Sequence, residues 1–297
     1  MGESKQYKSG FVSILGNPNV GKSTLMNRLV GERLSIVTSK AQTTRHRIFG
    51  IVDTPEYQIV YSDTPGVLAP VYELQRAMLK AIEGTLEDSD VLLYITDVIE
   101  NPAKHEGFLA DVGRCSIPKV VLVNKIDLSN QADLEKKVDF WHGIFPGCVV
   151  LPVSALHGFG VEQVQERILD LLPVGERFFP PDTLTDRPVR FFVSEIVREK
   201  VFLHCQEEVP YSVEVGIRTY EEGKTMDRIE AIIYVSRESQ KGILIGHQGS
   251  MLKRIGMAAR RDMETFLQKR VYLRLLVQVA DGWRDDEGKL RQFGYVE

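Results

Sequence analysis

Gly16-Asn-Pro-Asn-Val-Gly-Lys22-Ser23 stands between an apolar run, Phe11-Val-Ser-Ile-Leu15, and an amphipathic stretch from Lys22 to Val30. It fits G-x-x-x-x-G-K-[ST] in the setting that pattern needs, a strand before it and a helix after it. Glycines let backbone N–H groups come close to phosphate oxygens, and the helix N-terminus adds partial positive charge. Lys22 brings a full charge to the β- and γ-phosphates, while the Ser23 hydroxyl is suited to ligate Mg²⁺. Gly16, Asn17, Pro18, Asn19, Val20, Gly21, Lys22, Ser23 and Thr24 are therefore candidate nucleotide-binding residues.

Outward from this loop, short apolar runs alternate with helical patterns. Phe11–Leu15, Arg47–Val52, Gln58–Ser62, Val91–Thr96, Lys119–Val123 and Val149–Val153 read as strands. Lys22–Val30, Tyr72–Glu87, Ala103–Arg114, Ala132–Trp141 and Val161–Leu172 read as helices. That alternation predicts an α/β domain over 1–172, with a mainly parallel sheet and helices on both faces. Leu172-Pro-Val-Gly-Glu-Arg-Phe-Phe-Pro-Pro-Asp182 breaks the rhythm, because its prolines continue neither a helix nor a central strand. Residues 173–187 read as a linker, and 188–297 as a smaller α+β domain: a helix from Pro188 to His204, strands over Tyr211–Thr219 and Arg228–Ser236, helices over Lys241–Ile245 and Met251–Lys269, and a strand over Val271–Val279.

The composition agrees with two soluble domains. The chain has 297 residues, 43% hydrophobic and 26% charged, with no apolar run long enough to cross a bilayer. Its polar first ten residues do not form a secretory signal. Cys115, Cys148 and Cys205 lie far apart without metal-ligand spacing and read as reduced thiols of a cytoplasmic protein. The net charge of −4 is uneven: Lys253 to Arg274 holds seven basic and two acidic residues, a mild pointer to phosphate contacts.

Asn124-Lys-Ile-Asp127 follows the run Lys119–Val123, at the carboxyl end of a strand, where ligands of α/β sheets bind. A carboxylate accepts two hydrogen bonds, and guanine offers N1–H and an exocyclic amine side by side. Asp127 thus favours GTP and GDP over adenine nucleotides, with Asn124 bracing the loops, Lys125 along the base and Ile126 between them. Val153, Ser154 and Ala155 end the next strand, where a backbone N–H would meet the guanine O6. Asp63-Thr64-Pro65-Gly66 ends another; Asp63 suits the Mg²⁺ shell through water, and Gly66 the γ-phosphate. Ser39 to His46 is polar and poorly periodic, as suits a switch segment ordered by the γ-phosphate.

In the C-terminal part, Gly246-His247-Gln248-Gly249 lies between a short apolar helix and a longer one carrying Lys253, Arg254, Arg260 and Arg261. A KH domain uses such a loop to clamp about four nucleotides. Gly246, His247, Gln248, Gly249, Lys253 and Arg254 are the candidate RNA-binding residues. Phe191, Phe192, Ile196, Phe202 and Leu203 read as core, Trp283 as a cap on the sheet, and His105, His142, His157 and His204 as structural.

Lys40-Ala-Gln-Thr-Thr-Arg-His-Arg-Ile48, together with these nucleotide motifs, is similar to the switch of the Era GTPases, and Val197-Arg-Glu-Lys-Val and Glu208-Val-Pro-Tyr-Ser-Val213 resemble the opening of their type II KH domain. The resemblance spans roughly residues 8–297. It implies a G domain followed by a KH domain that binds the 3′ end region of 16S rRNA and acts in 30S subunit assembly and rRNA maturation. It also implies Thr44 as a Mg²⁺ ligand, Gln42, Thr43, Thr44, Arg45 and His46 as the second nucleotide motif, a monomeric state and peripheral contact with the inner membrane. The expected catalytic set is Lys22, Thr44, Asn19 and Gly66. Asn19 resembles the asparagine that binds K⁺ in potassium-activated GTPases. Two departures bear on mechanism. Val67 stands where Ras-like proteins place a water-orienting glutamine, which predicts slow unaided hydrolysis. His247 stands where KH loops usually carry a lysine or arginine. A constitutive RNA-binding factor with an idle nucleotide is the alternative; a small-metabolite kinase is disfavoured by Asp127.

Overall fold

The computed structural model describes residues 6–67, 69–101 and 106–296. The expected helix start at Ala103 and the candidate structural His105 lie outside them. The chain divides into two compact units. The first holds the described residues up to Val37, Thr44–Ala69 and Met78–Asp186; the second holds Thr38–Thr43, Pro70–Ala77 and Arg187 onward.

In the first unit, β1 (Lys8–Leu15), β3 (Tyr57–Asp63), β4 (Val91–Asp97), β5 (Lys119–Asn124) and β6 (Val149–Pro152) run parallel, with β2 (Ile48–Asp53) antiparallel at one edge. The order is β2-β3-β1-β4-β5-β6. Every residue of β4 is buried, as expected of a parallel strand covered on both faces. Helices α1 (Lys22–Val30), α2 (Glu73–Glu87, in this unit from Met78 onward), α3 (Glu106–Arg114), α4 (Gln131–Ile144) and α5 (Val161–Leu171) follow the strands. The antiparallel β2 has a local cause. Only Thr54–Glu56 join it to β3, closed by Thr54 N–H on the Tyr57 carbonyl at 2.9 Å, and a parallel partner needs a crossover of a dozen residues or more.

Residues 173–186, read from sequence as a linker, are fastened to the first unit. Gln58 Oε1 accepts from the N–H of Phe178 and Phe179, at 2.8 and 3.0 Å. Ile51 N–H donates to the Leu184 carbonyl and Phe49 N–H to Asp186 Oδ1. The proline-rich segment thus covers the free edge of β2, a position in which its missing N–H groups cost little.

In the second unit, α6 (Val189–His204), α7 (Glu238–Ile245) and α8 (Ser250–Leu267) pack on one face of a sheet ordered β7 (Val213–Glu221), β8 (Met226–Val235), β9 (Arg270–Val279). Val193, Val197 and Val201, one helical face of α6, are buried with Ile229, Ile233, Leu244, Ile255 and Met263. β7 and β8 pair antiparallel, β8 and β9 parallel across the α7–α8 crossover. Trp283 is fully buried with its indole N–H on the Ser212 carbonyl, so it is a cap. Leu203 corrects the core expectation. It is 51% exposed, because the residue after buried Phe202 is turned about 100° around the helix. A last helix, α9 (Glu287–Gln292), had no sequence signal beyond its N-cap, where Asp286 accepts from Lys289 N–H. No helix of the described residues is long and apolar enough to cross a membrane.

Candidate nucleotide site and nucleic-acid groove

The Gly16–Ser23 loop leaves β1 and opens α1. Gly16 has φ 152, and a Cβ there would lie 2.1 Å from the Ile95 carbonyl oxygen; at Gly21, φ 104, it would lie 2.2 Å from Asn124 Nδ2. Only glycine fits either place, so these two positions are demanded by packing as well as by ligand approach. Asn19 is held at φ 66, a region that ordinary residues rarely adopt. Lys22 is 6% exposed, and its ammonium donates to the carbonyls of Gly16 and Asn17 at 3.0 and 2.8 Å. Burial lowers its pKa to about 8, against the opposing pull of Asp63 and Glu100.

Three oxygens converge beside it. Ser23 Oγ lies 2.8 Å from Thr44 Oγ1 and donates to Asp63 Oδ2 at 2.7 Å, and Thr44 Oγ1 is 3.4 Å from the same carboxylate oxygen. Asp63 Oδ1 is buried with no hydrogen-bond partner. Burial pushes this carboxyl above its ordinary range, while Ser23 and Lys22 pull it down. An all-oxygen set with an unsatisfied buried carboxylate oxygen suits a hard cation such as Mg²⁺. Thr64 Oγ1 donates to the Ile14 carbonyl at 2.8 Å. Gly66 abuts the loop, where a Cβ would meet Pro18 at 2.7 Å. Val67 is buried in the cluster that contains Leu15, Ile82 and Tyr94, so its side chain orients no water.

On the base side, Asn124 is buried. Its Nδ2 donates to the Val20 carbonyl at 2.7 Å and its Oδ1 accepts from Ala155 N–H at 2.9 Å, tying the phosphate loop to the Val153–Ala155 segment. Lys125, at φ 60, donates to the Asn19 carbonyl and to Asp97 Oδ2, both at 2.6 Å. Asp127 accepts from Ser154 Oγ at 2.5 Å, and this bond first of all holds its carboxyl below the usual range. Ile126 N–H reaches the Val153 carbonyl. Three contributors escaped the sequence reading. Glu100 accepts from Asn17 Nδ2 at 2.9 Å, Asp97 anchors Lys125, and His157 Nε2, read as merely structural, lies 3.8 Å from Asp127 Oδ2. Asp97 at the carboxyl end of β4 was the available signal.

The expected second motif is divided. Thr44, Arg45 and His46 belong to the first unit, and Gln42 and Thr43 to the second. Within the second unit Gln42 Oε1 accepts from the Tyr72 hydroxyl at 2.8 Å, and the Thr43 carbonyl accepts from Arg198 Nη2 at 2.6 Å. Arg198 is fully buried and ion-paired with Glu195.

The Gly246–Gly249 loop caps α7 and starts α8. Gly246 has φ 70, and a Cβ there would come within 2.8 Å of Met251 Cβ; Gly249 has φ 77 with open space around it, and Gln248 is also left-handed at φ 50. His247, Gln248, Lys253 and Arg254 are exposed. A groove of about 390 Å³ runs from the loop, lined by Gly249, Leu252, Lys253, Gly256, Met257, Arg260, Leu273 and Leu275. Its apolar floor from β9 was not singled out from sequence, and Arg260, noted there as a basic residue of the helix, was not among the RNA-binding candidates. Arg254 stands outside the lining.

A P-loop α/β fold that brings its candidate phosphate, metal and base residues together, followed by a KH fold, is that of a GTPase joined to a nucleic-acid-binding module. The pattern of the 50S ribosome-binding GTPases matches residues 11–125, and that of the KH domain matches 208–284. GTPase Era of Geotalea uraniireducens is 43% identical over 293 residues, covering 98% of this chain and 99% of that one. The chloroplastic GTPase ERA-like protein of Oryza sativa subsp. japonica is 42% identical, over 97% and 70% of the two chains. A crystal structure of Era in complex with MgGDPNP and nucleotides 1506–1542 of 16S ribosomal RNA matches at TM-score 0.94 and 39% identity, covering 98% of this chain and all of that one. Era of Aquifex aeolicus bound to GDP and aluminium fluoride matches at 0.93. The chain belongs to the Era GTPases.

Proposed function

We propose that this GTPase is a switch that binds the 3′ end region of 16S rRNA through its KH groove and acts in assembly of the 30S subunit and maturation of its rRNA. The observation that carries the reading is full-length similarity to an Era crystallised with both a GTP analogue and that RNA segment. Ser23 and Thr44 would hold Mg²⁺ directly and Asp63 through water, the metal supplying charge neutralisation at the β- and γ-phosphates. Lys22 binds those phosphates, Gly66 presents its N–H to the γ-phosphate, and Asp127 reads guanine. His247, Gln248 and Lys253 grip the RNA backbone, with Arg254 adding charge. The functional border of the KH domain falls at 187, since residues 173–186 are strapped to the first unit.

Nucleotide state reaches RNA through the switch segment. Thr43 and Thr44 are adjacent in sequence yet belong to different units, so ordering Thr44 on the metal bears on the segment that Arg198 holds. By linkage, any gain in RNA affinity from GTP returns as the same gain in GTP affinity from RNA. The test is binding of a 3′-terminal small-subunit rRNA oligonucleotide with GDP and with a non-hydrolysable GTP analogue, beside a His247→Asp/Gln248→Asp control. Tighter binding with the analogue, abolished in the control, is expected. Equal binding in both states would support a constitutive RNA-binding factor instead.

Asn19, in its strained conformation, is the proposed K⁺ ligand, the cation offsetting charge at the β–γ bridge as an arginine finger does elsewhere. Faster hydrolysis in K⁺ than in matched Na⁺ is expected, and equal rates would remove the proposal.

A further inference from the structure

β4 runs into a turn over residues 97–100, and this turn grips the candidate phosphate loop at two points. Asp97 Oδ1 accepts from the N–H groups of Ile99 and Glu100 at 2.9 and 2.7 Å, which sets the backbone that carries Glu100. Its other oxygen accepts from Lys125, and the same ammonium donates to the Asn19 carbonyl, both at 2.6 Å. Glu100 Oε2 accepts from Asn17 Nδ2 at 2.9 Å. Its Oε1 accepts from the Thr96 hydroxyl, and its carbonyl from Lys137 of α4 at 2.7 Å. The two grips flank Pro18, and Asn19 itself is left-handed at φ 66.

A residue in a sparsely populated conformation stays there only when its surroundings over-determine it. Here one short turn supplies the surroundings. Lys125, steadied by Asp97, holds the carbonyl of Asn19, and Glu100 holds the side chain of Asn17. The Asn17 carbonyl in turn accepts from Lys22 at 2.8 Å, so the Glu100–Asn17 bond bears on the residue that carries the charge of the loop. Glu100 also counters the effect of burial on that ammonium. Ile99, from the same turn, leaves its side chain in solvent, 67% exposed. Backbone N–H groups of such a loop must converge on phosphate oxygens, and the β-phosphate is common to GDP and GTP. Loosening the loop therefore weakens both nucleotides alike and acts on binding more than on the chemical step.

We propose that Glu100 is a positioning residue of the nucleotide site, its carboxylate fixing Asn17 so that the phosphate loop is preset for the diphosphate of GDP and GTP and retains it. The proposal rests on the reading of residues 16–23 as the phosphate loop and fails separately from it. In the full chain, a fluorescent GDP reports affinity and release, and single-turnover hydrolysis at saturating GTP reports the chemical step. Glu100→Ala is expected to speed GDP release and weaken GDP and GTP alike by about tenfold, with hydrolysis changed by less than about threefold. Glu100→Gln keeps an acceptor for Asn17, and the Thr96 hydroxyl can turn to accept from the new amide. It is expected to bring release back to within about threefold of wild type. Asn17→Ala removes the same bond from the other side and is expected to match Glu100→Ala, with the double variant no worse than either single. Ile99→Ala is expected to leave release unchanged. Unchanged release in Glu100→Ala and Asn17→Ala, additive losses in the double variant, or slower hydrolysis with release intact overturns the proposal. Wild-type GDP and GTP affinity in Lys22→Ala refutes the phosphate-loop reading instead.

Discussion

The two binding regions of this molecule are built on opposite plans. At the candidate nucleotide site Lys22, Thr44, Asp63 and Asn124 are buried, each exposing less than a tenth of its surface, and already hydrogen-bonded, while Asp127 at the base end is exposed. At the nucleic-acid groove His247, Gln248, Lys253 and Arg254 stand in solvent, and only the glycine-shaped backbone and the apolar floor are fixed. A small, highly charged ligand needs preorganised partners in a site shielded from water, where each contact is strong. A long polyanion is held by many screened contacts, each weak and sensitive to salt. Single changes at the first region should therefore act steeply, and at the second in graded steps.

The steepest expected effect is at Lys22. Its ammonium is the one full positive charge in the phosphate loop, so Lys22→Ala should cut kcat for GTP by about 10³-fold or more. Single-turnover GTP hydrolysis checks it; a loss under tenfold would mean that the buried lysine serves the fold and not the phosphates. Next comes Asp127→Asn. An amide keeps one acceptor and gains a donor, so guanine's N1–H and amine are no longer both satisfied. A loss of about 10²-fold in GTP affinity is expected, with a gain for xanthosine triphosphate, whose C2 oxygen can accept from the new amide. Competition binding of the two nucleotides decides it, and an equal loss for both would assign Asp127 to loop structure through Ser154.

The groove allows a finer comparison within one loop. Gly246 and Gly249 share left-handed φ values, but only Gly246 lacks room for a Cβ. Gly246→Ala should distort the α7–α8 junction and weaken RNA binding by tenfold or more. Gly249→Ala should add only conformational strain, about 1–2 kcal/mol, with a smaller loss of RNA affinity. Isothermal titration with the rRNA oligonucleotide, beside thermal melting, separates them; equal effects would show that conformation alone governs the loop.

The difference between the regions also explains what could be read from sequence. The Gly16–Ser23 and Asn124–Asp127 motifs are contiguous, because the candidate phosphate and base contacts sit on single turns at strand ends. Glu100 on Asn17, Asp97 on Lys125 and Arg198 on Thr43 join residues 28 to 155 positions apart, and nothing local marks them. The same holds for the groove floor, since Leu273 and Leu275 acquire a face only when β9 registers on β8. The edge-covering role of 173–186 was hidden for another reason. Proline-rich composition reports what a segment cannot form, and the partner that fastens it, the Gln58 side chain, lies on a strand more than a hundred residues earlier.

That strap supplies the smallest expected effect and a contrast with the ligand sites. Arg177 Nε donates to Asp53 Oδ1 at 2.8 Å, and Tyr7 Oη and Gln58 Nε2 reach the same oxygen. Burial alone would raise the Asp53 carboxyl; the bonds from Arg177, Tyr7 and Gln58 outweigh it and hold it below its ordinary range. A carboxyl depressed in the folded state adds stability above its unfolded pKa and loses it as pH falls through the folded value. Asp53→Asn should therefore melt lower than wild type at pH 7 by the equivalent of about 1 kcal/mol, and the two curves should converge as pH falls through the depressed folded-state pKa of Asp53. Because Asp53 lies at the β2–β3 turn, away from Lys22 and Asp127 in sequence and in hydrogen bonding, GTP affinity at pH 7 should not change. Thermal melting from pH 7 to 3 with and without GDP makes the check. A gap that persists at low pH would mean that the strap is held by packing of Phe178 and Phe179 against Phe11 and Phe49, and not by this carboxylate.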